Sequence, residues 1–425
     1  MQYLRQGVAV CAVLASAVAA GGCAAGPRGG VRQPGRGVTL TSSEITTLRS
    51  LGAADTAFGL NVLSALCGHQ PGTNVVISPV SLATGLGMAY LGARGATAGA
   101  MARVLHLAAG PGLISGLRAR RALLASLNSP GVTFAESNRL WADPSLPARP
   151  SYAAALRESY QAKATRVPLL SAPDQALARI NSAIAAQTRG HISNLLPAGS
   201  IPPQSMGWVL TNALYLDAAW RHRFDRAKTA PGPFRTGTGA VVTARYMHGN
   251  GSGYAATANG WAATALRYRG GRLAMLALLP PAARSGHRAP TGGCSVPQVA
   301  QVRALVHKLA GPGEGHQIAL PKVRLASSEP LKQVLTRLGM GIAFSRRADF
   351  TGISPFAWRL GFVQHAATLT VGEKGAVASA ATAVGVQATA LPIPIVFDRP
   401  FLLIIRDTLT GEPLMMAWVA NPATG

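Results

Sequence analysis

Between Lys374 and Asp398 the chain runs for 23 residues without a charge, in a sequence of which 13% is charged. Charges scattered at that density would spare such a window about one time in twenty-five, so the run is unusual without being decisive. The stretch reads EKGAVASAATAVGVQATALPIPIVFDRPF from Glu373 to Phe401. A membrane span needs about 20 predominantly apolar residues, and Ser379, Thr382, Gln387, Thr389, Pro392 and Pro394 make this a poor one. A flexible linker would be richer in Gly and Ser and would separate domains, yet FLLIIRD follows at once and reads as a buried strand. A third reading is a segment exposed in one state and paired into a sheet in another. That would require small, uncharged side chains on the face that becomes buried.

A length of 425 residues admits two or three average domains or one large one, and 48% hydrophobic residues can fill a substantial core. The formal charge of +25 favours polyanions or anionic surfaces as partners, although most of it is arginine dispersed along the chain. The N-terminus is more specific. Arg5 precedes GVAVCAVLASAVAA and then GGCAAGPRGG, the three parts of an export signal over residues 1–22. Cys23, directly after Gly21 and Gly22, resembles the lipid-accepting cysteine of a bacterial lipoprotein; Ala20 stands where that pattern usually has Leu, so plain secretion stays open. Either route makes the protein exported, as a cell-surface lipoprotein or a secreted one. Residues 23–40, rich in Gly, Pro and Arg, read as a tether ahead of a single domain over 41–425. Once Cys11 leaves with the signal and Cys23 carries lipid, Cys67 and Cys294 remain, either as a disulfide or as two buried thiols.

Helical periodicity marks SSEITTLRSLGAADTAFGLNVLSALCG, PVSLATGLGMAYLGA, TAGAMARVLHL, GLRARRALLASL, SYAAALRESYQA and ALARINSAIAAQTRG. Strand patterns follow in MGWVLTNALYLDAAW, GWAATALRYRGGRLAMLALLP, HQIALPKVRLAS, FLLIIRDT and PLMMAWVANP. Helices early and strands late predict an α+β architecture. The chain holds no Gly-x-Ser-x-Gly elbow, no Cys-x-x-Cys, no His-Glu-x-x-His and no phosphate-binding Gly-rich loop, which lowers the case for an enzyme.

From about Thr41 onward the chain resembles the serpins, inhibitors of serine and cysteine proteases. The resemblance rests on ordered, widely separated stretches: NVVISPVSLATGLGMAYLGARGATAGAMARVL, INSAIAAQTRGHISNLLP, LTNALYLDAAWRHRFD, ADFTGIS, VGEKG and FDRPFLLIIRDTLTGEPLMMAWVANP. It implies a fold of about nine helices and three sheets with an exposed reactive loop, here residues 373–396, that is cleaved and then inserted into a sheet. It implies an inhibitor rather than an enzyme, no cofactor, no specific nucleic-acid partner and a monomer that forms a covalent acyl complex with its protease. In the family the loop opens at a Glu-x-Gly hinge, which matches Glu373, Lys374 and Gly375 here, and the attacked bond follows the residue sixteen positions on, Thr389. Counting back eight positions from Phe397 also reaches Thr389, so Thr389–Ala390 is the expected scissile bond.

Because side chains alternate along a strand, insertion buries one alternate set, which family registration starts at Ala376, Ala378, Ala380 and Thr382. All are small and uncharged, as are Ser379 and Ala381 between them. A charge there would be costly to desolvate and a proline would remove a ladder hydrogen bond; Pro392 and Pro394 lie beyond the expected cut. Two positions depart from the inhibitory pattern: Ala376 where Thr or Ser is usual, and Val377 where Glu is usual. The resemblance also assigns Ser78, Ser81, Asn181, Asn212 and His365 to a hydrogen-bonded shutter beneath the opening sheet, and Trp220 to the breach at its top. Arg118, Arg120 and Arg121 fall in the helix that binds polyanions in some members, with a solvated basic face as the plainer account. The expected function is therefore suicide inhibition of an elastase-like or subtilisin-like protease, since Ala388, Thr389 and Ala390 are small. The alternative is a non-inhibitory serpin that serves as a surface binding protein or adhesin.

Overall fold

The computed structural model describes residues 31–32, 39–108, 110, 112–190, 192–201, 207–250, 256–281, 294–310, 317–376 and 395–424. Its first helix starts at a reciprocal cap. The Thr41 hydroxyl accepts from the Glu44 N–H at 3.2 Å, and the Glu44 carboxylate accepts from the Thr41 N–H at 2.8 Å. Helices then follow in chain order: α1 (Ser42–His69), α2 (Pro79–Gly92), α3 (Gly95–Val104), α4 (Leu113–Ala125), α5 (Pro150–Tyr160), α6 (Pro173–Gln187), α7 (Val299–Leu309) and α8 (Lys332–Leu335). Ser78 caps α2 with its hydroxyl, and Pro79 occupies the first turn, where its missing N–H costs nothing.

The strands are β1 (Val31–Arg32), β2 (Thr39–Leu40), β3 (Val75–Ile77), β4 (Val132–Ala142), β5 (Lys163–Arg166), β6 (Trp208–Ala219), β7 (Ala230–Arg235), β8 (Val241–Asn250), β9 (Ala256–Ala258) and β10 (Trp261–Arg267). They continue with β11 (Leu273–Leu279), β12 (Gln317–Pro321), β13 (Val323–Pro330), β14 (Gln364–Val371), β15 (Gly375–Ala376), β16 (Ile395–Val396), β17 (Phe401–Asp407) and β18 (Pro413–Val419). The architecture is α+β, as the sequence pattern predicts, but less segregated. The long strand β4 sits in the helical half and α7 in the strand-rich half. β4 escapes a periodicity search because Glu136, Ser137, Asn138 and Arg139 interrupt its apolar residues.

Strands β3-β18-β17-β11-β10-β9 form an antiparallel sheet buried on both faces. The period of two sorts its side chains into two cores. Leu276, Leu278, Leu402, Ile404, Met416 and Trp418 join the helices α1 and α2. Met275, Ala277, Leu403, Ile405, Met415 and Ala417 face the other way, toward Ala218, Ala367, Leu369 and Val371. A second sheet has the order β16-β12-β8-β7. Strands β1 and β2 pair only with each other, and the remaining strands fall into two pieces, β15-β6-β4-β5 and β13-β14, that share no ladder below β15 among the described residues. That break and the separate β1-β2 pair are the reason more sheets are counted than the expected three.

Cys67 near the end of α1 and Cys294 ahead of α7 form a disulfide, with Cα atoms 5.6 Å apart across 227 residues of sequence. Of the two open readings of these cysteines the structure has the bonded one. Closing so long a loop restricts the unfolded chain. Replacing both with alanine is expected to lower stability by about 2–5 kcal/mol, read as a drop in melting midpoint against wild type. A non-reducing peptide map that finds both thiols free would contradict the bond.

Candidate functional site

Strand β14 ends at Val371, and the chain turns back through Gly372, Glu373 and Lys374 into β15. Gly372 and Gly375 exchange backbone hydrogen bonds of 3.3 and 3.2 Å, while Gly375 pairs antiparallel with Ala219 and Ala376 with Ala218. Gly375 has φ +115, and a Cβ there would meet the Ala218 carbonyl, with Ala219 Cα and Trp220 N both at 2.7 Å. Only glycine allows the turning chain to come this close to β6. The indole N–H of Trp220 donates to the Gly372 carbonyl at 2.8 Å and its backbone N–H to the Lys374 carbonyl at 3.2 Å. The ring itself stacks on Tyr268 at 4.4 Å and meets Phe224 edge-on at 6.4 Å. Trp220 therefore sits against the hinge turn and clamps it through indole and backbone. The Glu373 carboxylate accepts from Thr229 Oγ1 at 3.1 Å and pairs with Lys322 Nζ at 3.0 Å. Partial burial pushes that carboxyl up. Hydrogen bonds from its own backbone, Lys322 and Thr229, with the Lys322 charge, outweigh burial and hold it below the usual carboxylate range.

Below this clamp, among the described residues, β6 pairs with β4 and with no strand on its other side. Between β6 and β14 lies a cleft of about 80 Å³, walled by residues 212–217 and 366–370 and floored by Ser78, Ser81, Ile405 and Met415. Among the described residues no strand pairs with both β6 and β14 there.

The lower end of the cleft is polar. The Ser78 N–H donates to His365 Nε2 at 3.0 Å, the Ser81 N–H donates to Ser78 Oγ at 3.3 Å, and the Ser81 hydroxyl donates to Asn212 Oδ1. Asn212 Nδ2 in turn donates to Asn138 Oδ1 at 2.7 Å and Glu136 Oε1 at 3.0 Å, and Asn138 Nδ2 donates to the Tyr160 carbonyl at 3.0 Å. Ser78, Ser81, Asn212 and His365 thus come together, joined by Glu136 and Asn138, which the sequence reading missed inside the unrecognised β4. Asn181 does not join them. Its amide holds Asn194 Oδ1 at 3.0 Å, the Leu196 carbonyl at 2.8 Å and the Leu196 N–H at 2.9 Å, so it pins the turn after α6 instead. His365 is 4% exposed, and burial lowers its pKa to about 4, so it accepts from Ser78 as the neutral imidazole.

The basic trio on α4 requires a correction. Arg118 is exposed and lies 3.5 Å from Glu158, but Arg120 is 4% exposed and turned into the protein. Arg120 Nη1 donates to Asp55 Oδ2 at 2.7 Å and Nη2 to Thr84 Oγ1 at 3.3 Å. Arg121 is half-buried. At about 100° per residue, Arg118 and Arg121 are neighbours on one face, three positions apart, while Arg120 points to nearly the opposite side. Burial works against the Arg120 charge, but Asp55 and Glu412 outweigh it and keep the guanidinium protonated. Burial raises Asp55 and Glu136 despite Arg120, and raises Glu412 furthest because Asp55 adds repulsion. Val377, Ala378, Ser379, Ala380, Ala381, Thr382, Thr389, Ala390 and Cys23 lie outside the described residues.

The family described as Serpin (serine protease inhibitor) matches residues 53–422. Serpin-Z7 from Hordeum vulgare is 31% identical over 401 residues, covering 90% of this chain and 99% of that protein. Leukocyte elastase inhibitor from Bos taurus is 30% identical over 386 residues, covering 88% and 100%. Among solved structures, uncleaved ovalbumin superposes with a TM-score of 0.75 at 25% identity, covering 88% of this chain and all of that one. Human glycosylated kallistatin gives 0.74 at 23% identity, covering 88% and 99%.

Two measurements test the polar floor. His365 has a folded pKa of about 4 against 6.5 when unfolded, so its contribution is full above pH 6.5 and is lost as pH falls toward 4. The loss amounts to about 3 kcal/mol. Melting midpoints of His365→Gln should therefore fall less than wild type between those limits; parallel curves would refute the assignment. Arg120→Leu strands the Asp55 carboxylate and is expected to cost about 3–5 kcal/mol near neutral pH in a urea titration. Arg121→Leu serves as the mild control.

Proposed function

The chain belongs to the serpin family, and on that premise we propose that it inhibits a serine protease as a suicide substrate. The protease nucleophile attacks the Thr389 carbonyl, the bond to Ala390 breaks, its nitrogen leaves as the amine, and an ester joins Thr389 to the enzyme. Before water attacks that ester, the freed loop enters the cleft between β6 and β14 and pulls the protease with it. Deacylation then stalls, because it depends on close positioning of the catalytic groups. The protein acts once per molecule and does not turn over.

The observation that carries this reading is the agreement of two registers at the mouth of the cleft. Extending the Ala376–Ala218 pairing would set Ala378 beside Leu216, Ala380 beside Leu214 and Thr382 beside Asn212. Extending the Gly372–Gly375 bridge down β14 would set the same residues beside Leu369, Ala367 and His365. Leu214, Leu216, Ala367 and Leu369 all belong to one core, so both registers turn Ala378 and Ala380 toward it. The small, uncharged set is the one that insertion would bury. Val377, Ser379 and Ala381 would face the opposite side. The proposed setting is outside the cytoplasm, with residues 1–22 directing export and Cys23 as the lipid attachment point. The small side chains at 388–390 suit a protease with a small primary pocket, elastase-like or subtilisin-like.

Mixing the protein with such proteases should give a covalent complex at the combined mass on a denaturing gel, with a new terminus at Ala390 by mass spectrometry. Ala378→Glu would put a carboxylate between Leu216 and Leu369. It should convert the inhibitor into a cleaved substrate, with trapped complex falling about a hundredfold or more. Cleavage of the wild type without any complex would reject inhibition in favour of a serpin that serves as a binding protein.

A further inference from the structure

We infer that the pole of the molecule around Phe356 and Trp358 docks on an anionic lipid surface. Trp358 is 71% exposed and Phe356 64%, the two most exposed large apolar side chains among the described residues. Ala357 between them is buried, and its N–H donates to the Ser354 carbonyl at 3.0 Å. The Leu360 N–H donates to the Ala343 carbonyl at 2.9 Å. The short loop is therefore pinned from within while both rings are held outward. A single exposed ring needs no explanation; two of them two residues apart, on a pinned loop, form a patch.

The charge of the segment that carries the rings is predominantly positive. Arg346, Arg347 and Arg359 are exposed, and none of the ion pairs among the described residues includes them. Two more arginines brace the same segment. The Arg94 N–H donates to the Asp349 carbonyl at 3.0 Å, and Arg149 donates to the Ile353 and Thr351 carbonyls at 2.7 and 2.8 Å. The stretch from Ser345 to Leu360 carries one carboxylate, Asp349, which already accepts from the Thr351 N–H and hydroxyl at 3.0 and 2.7 Å. Aromatic rings at headgroup depth with guanidinium groups beside lipid phosphates are the pairing that an anionic membrane interface favours. A soluble polyanion would use the cations but not the rings.

The position suits that role. Strand β14 starts at Gln364, close after Leu360, and ends at the hinge. Eight residues at ~3.3 Å each put the hinge roughly 25 Å from the docked pole, so the cleft mouth stays in water. This inference rests on the surface alone, independent of the inhibitor reading and of lipid at Cys23.

The test is flotation of the full-length chain carrying Cys23→Ser with vesicles of phosphatidylcholine, alone or mixed with phosphatidylglycerol. Any contribution of the N-terminal residues is common to every variant. The parent should partition onto the anionic vesicles. Phe356→Ser with Trp358→Ser should reduce partition about tenfold or more, and Arg346→Gln with Arg347→Gln and Arg359→Gln should reduce it and flatten its salt dependence. The other five tryptophans are buried or half-buried, so a blue shift and quenching by brominated acyl chains should report Trp358 and vanish in Trp358→Phe, which still binds. Equal flotation of the doubly substituted aromatic variant would overturn the proposal. So would loss of self-association by that variant in lipid-free sedimentation, or binding to a soluble sulfated polysaccharide that needs the arginines alone while vesicles bind nothing.

Discussion

The structure depends on a ladder that the central sheet does not form among the described residues. Strands β6 and β14 flank a cleft of about 80 Å³ and are linked at its top by the Gly372–Gly375 turn. Unpaired backbone groups at a sheet edge are a standing demand for a partner. Among the described residues the hinge supplies one at two positions, Gly375 and Ala376. Everything around the cleft either limits how far that pairing goes or prepares the chain for its continuation.

Two sets of interactions do the limiting. At the top, Trp220 grips the turn through its indole and backbone, and Lys322 with Thr229 holds the Glu373 carboxylate. At the bottom, His365, Ser78, Ser81, Asn212, Asn138 and Glu136 form a connected polar floor. A fully satisfied buried network is rigid and specific, whereas a half-satisfied one is expensive. An entering strand must therefore replace those contacts as it displaces them. Behind the floor, Arg120 balances Asp55 in the core between α1, α2 and α4, so the charge beneath the sheet is neutralised without reaching solvent.

The two ends of β14 have opposite surface chemistry. Its C-terminal end meets the polar hinge clamp. Its N-terminal end follows the pinned loop that displays Phe356 and Trp358 among arginines. One strand thus sets the distance between the end proposed to meet a protease and the end proposed to meet a surface.

Much of the fold was legible in the sequence where burial is periodic. The six early helices and strands β6, β17 and β18 follow from the spacing of apolar residues, because a face packed on a core must repeat with the period of its backbone. The uncharged run after Glu373 raised the reading of a segment with two environments, and the close approach of Gly375 to β6 came from the fold. Strand β4 was not legible, because its middle carries Glu136, Ser137, Asn138 and Arg139, polar residues that read as loop. Their partners are 22 to 76 positions away, so only tertiary structure satisfies them. The same reason misled the reading of Arg120 and Asn181: the family resemblance implied a basic helix face and a shutter amide, but Asp55 and Leu196 decide where each points. The Cys67–Cys294 bond and the joined patch of Phe356, Trp358 and distant arginines were likewise decided by the fold. Sequence by itself determined most of the segments that form and, through the family register, the small side chains proposed to insert; three-dimensional packing determined which polar groups meet, because a hydrogen bond or ion pair requires proximity that spacing along the chain does not encode.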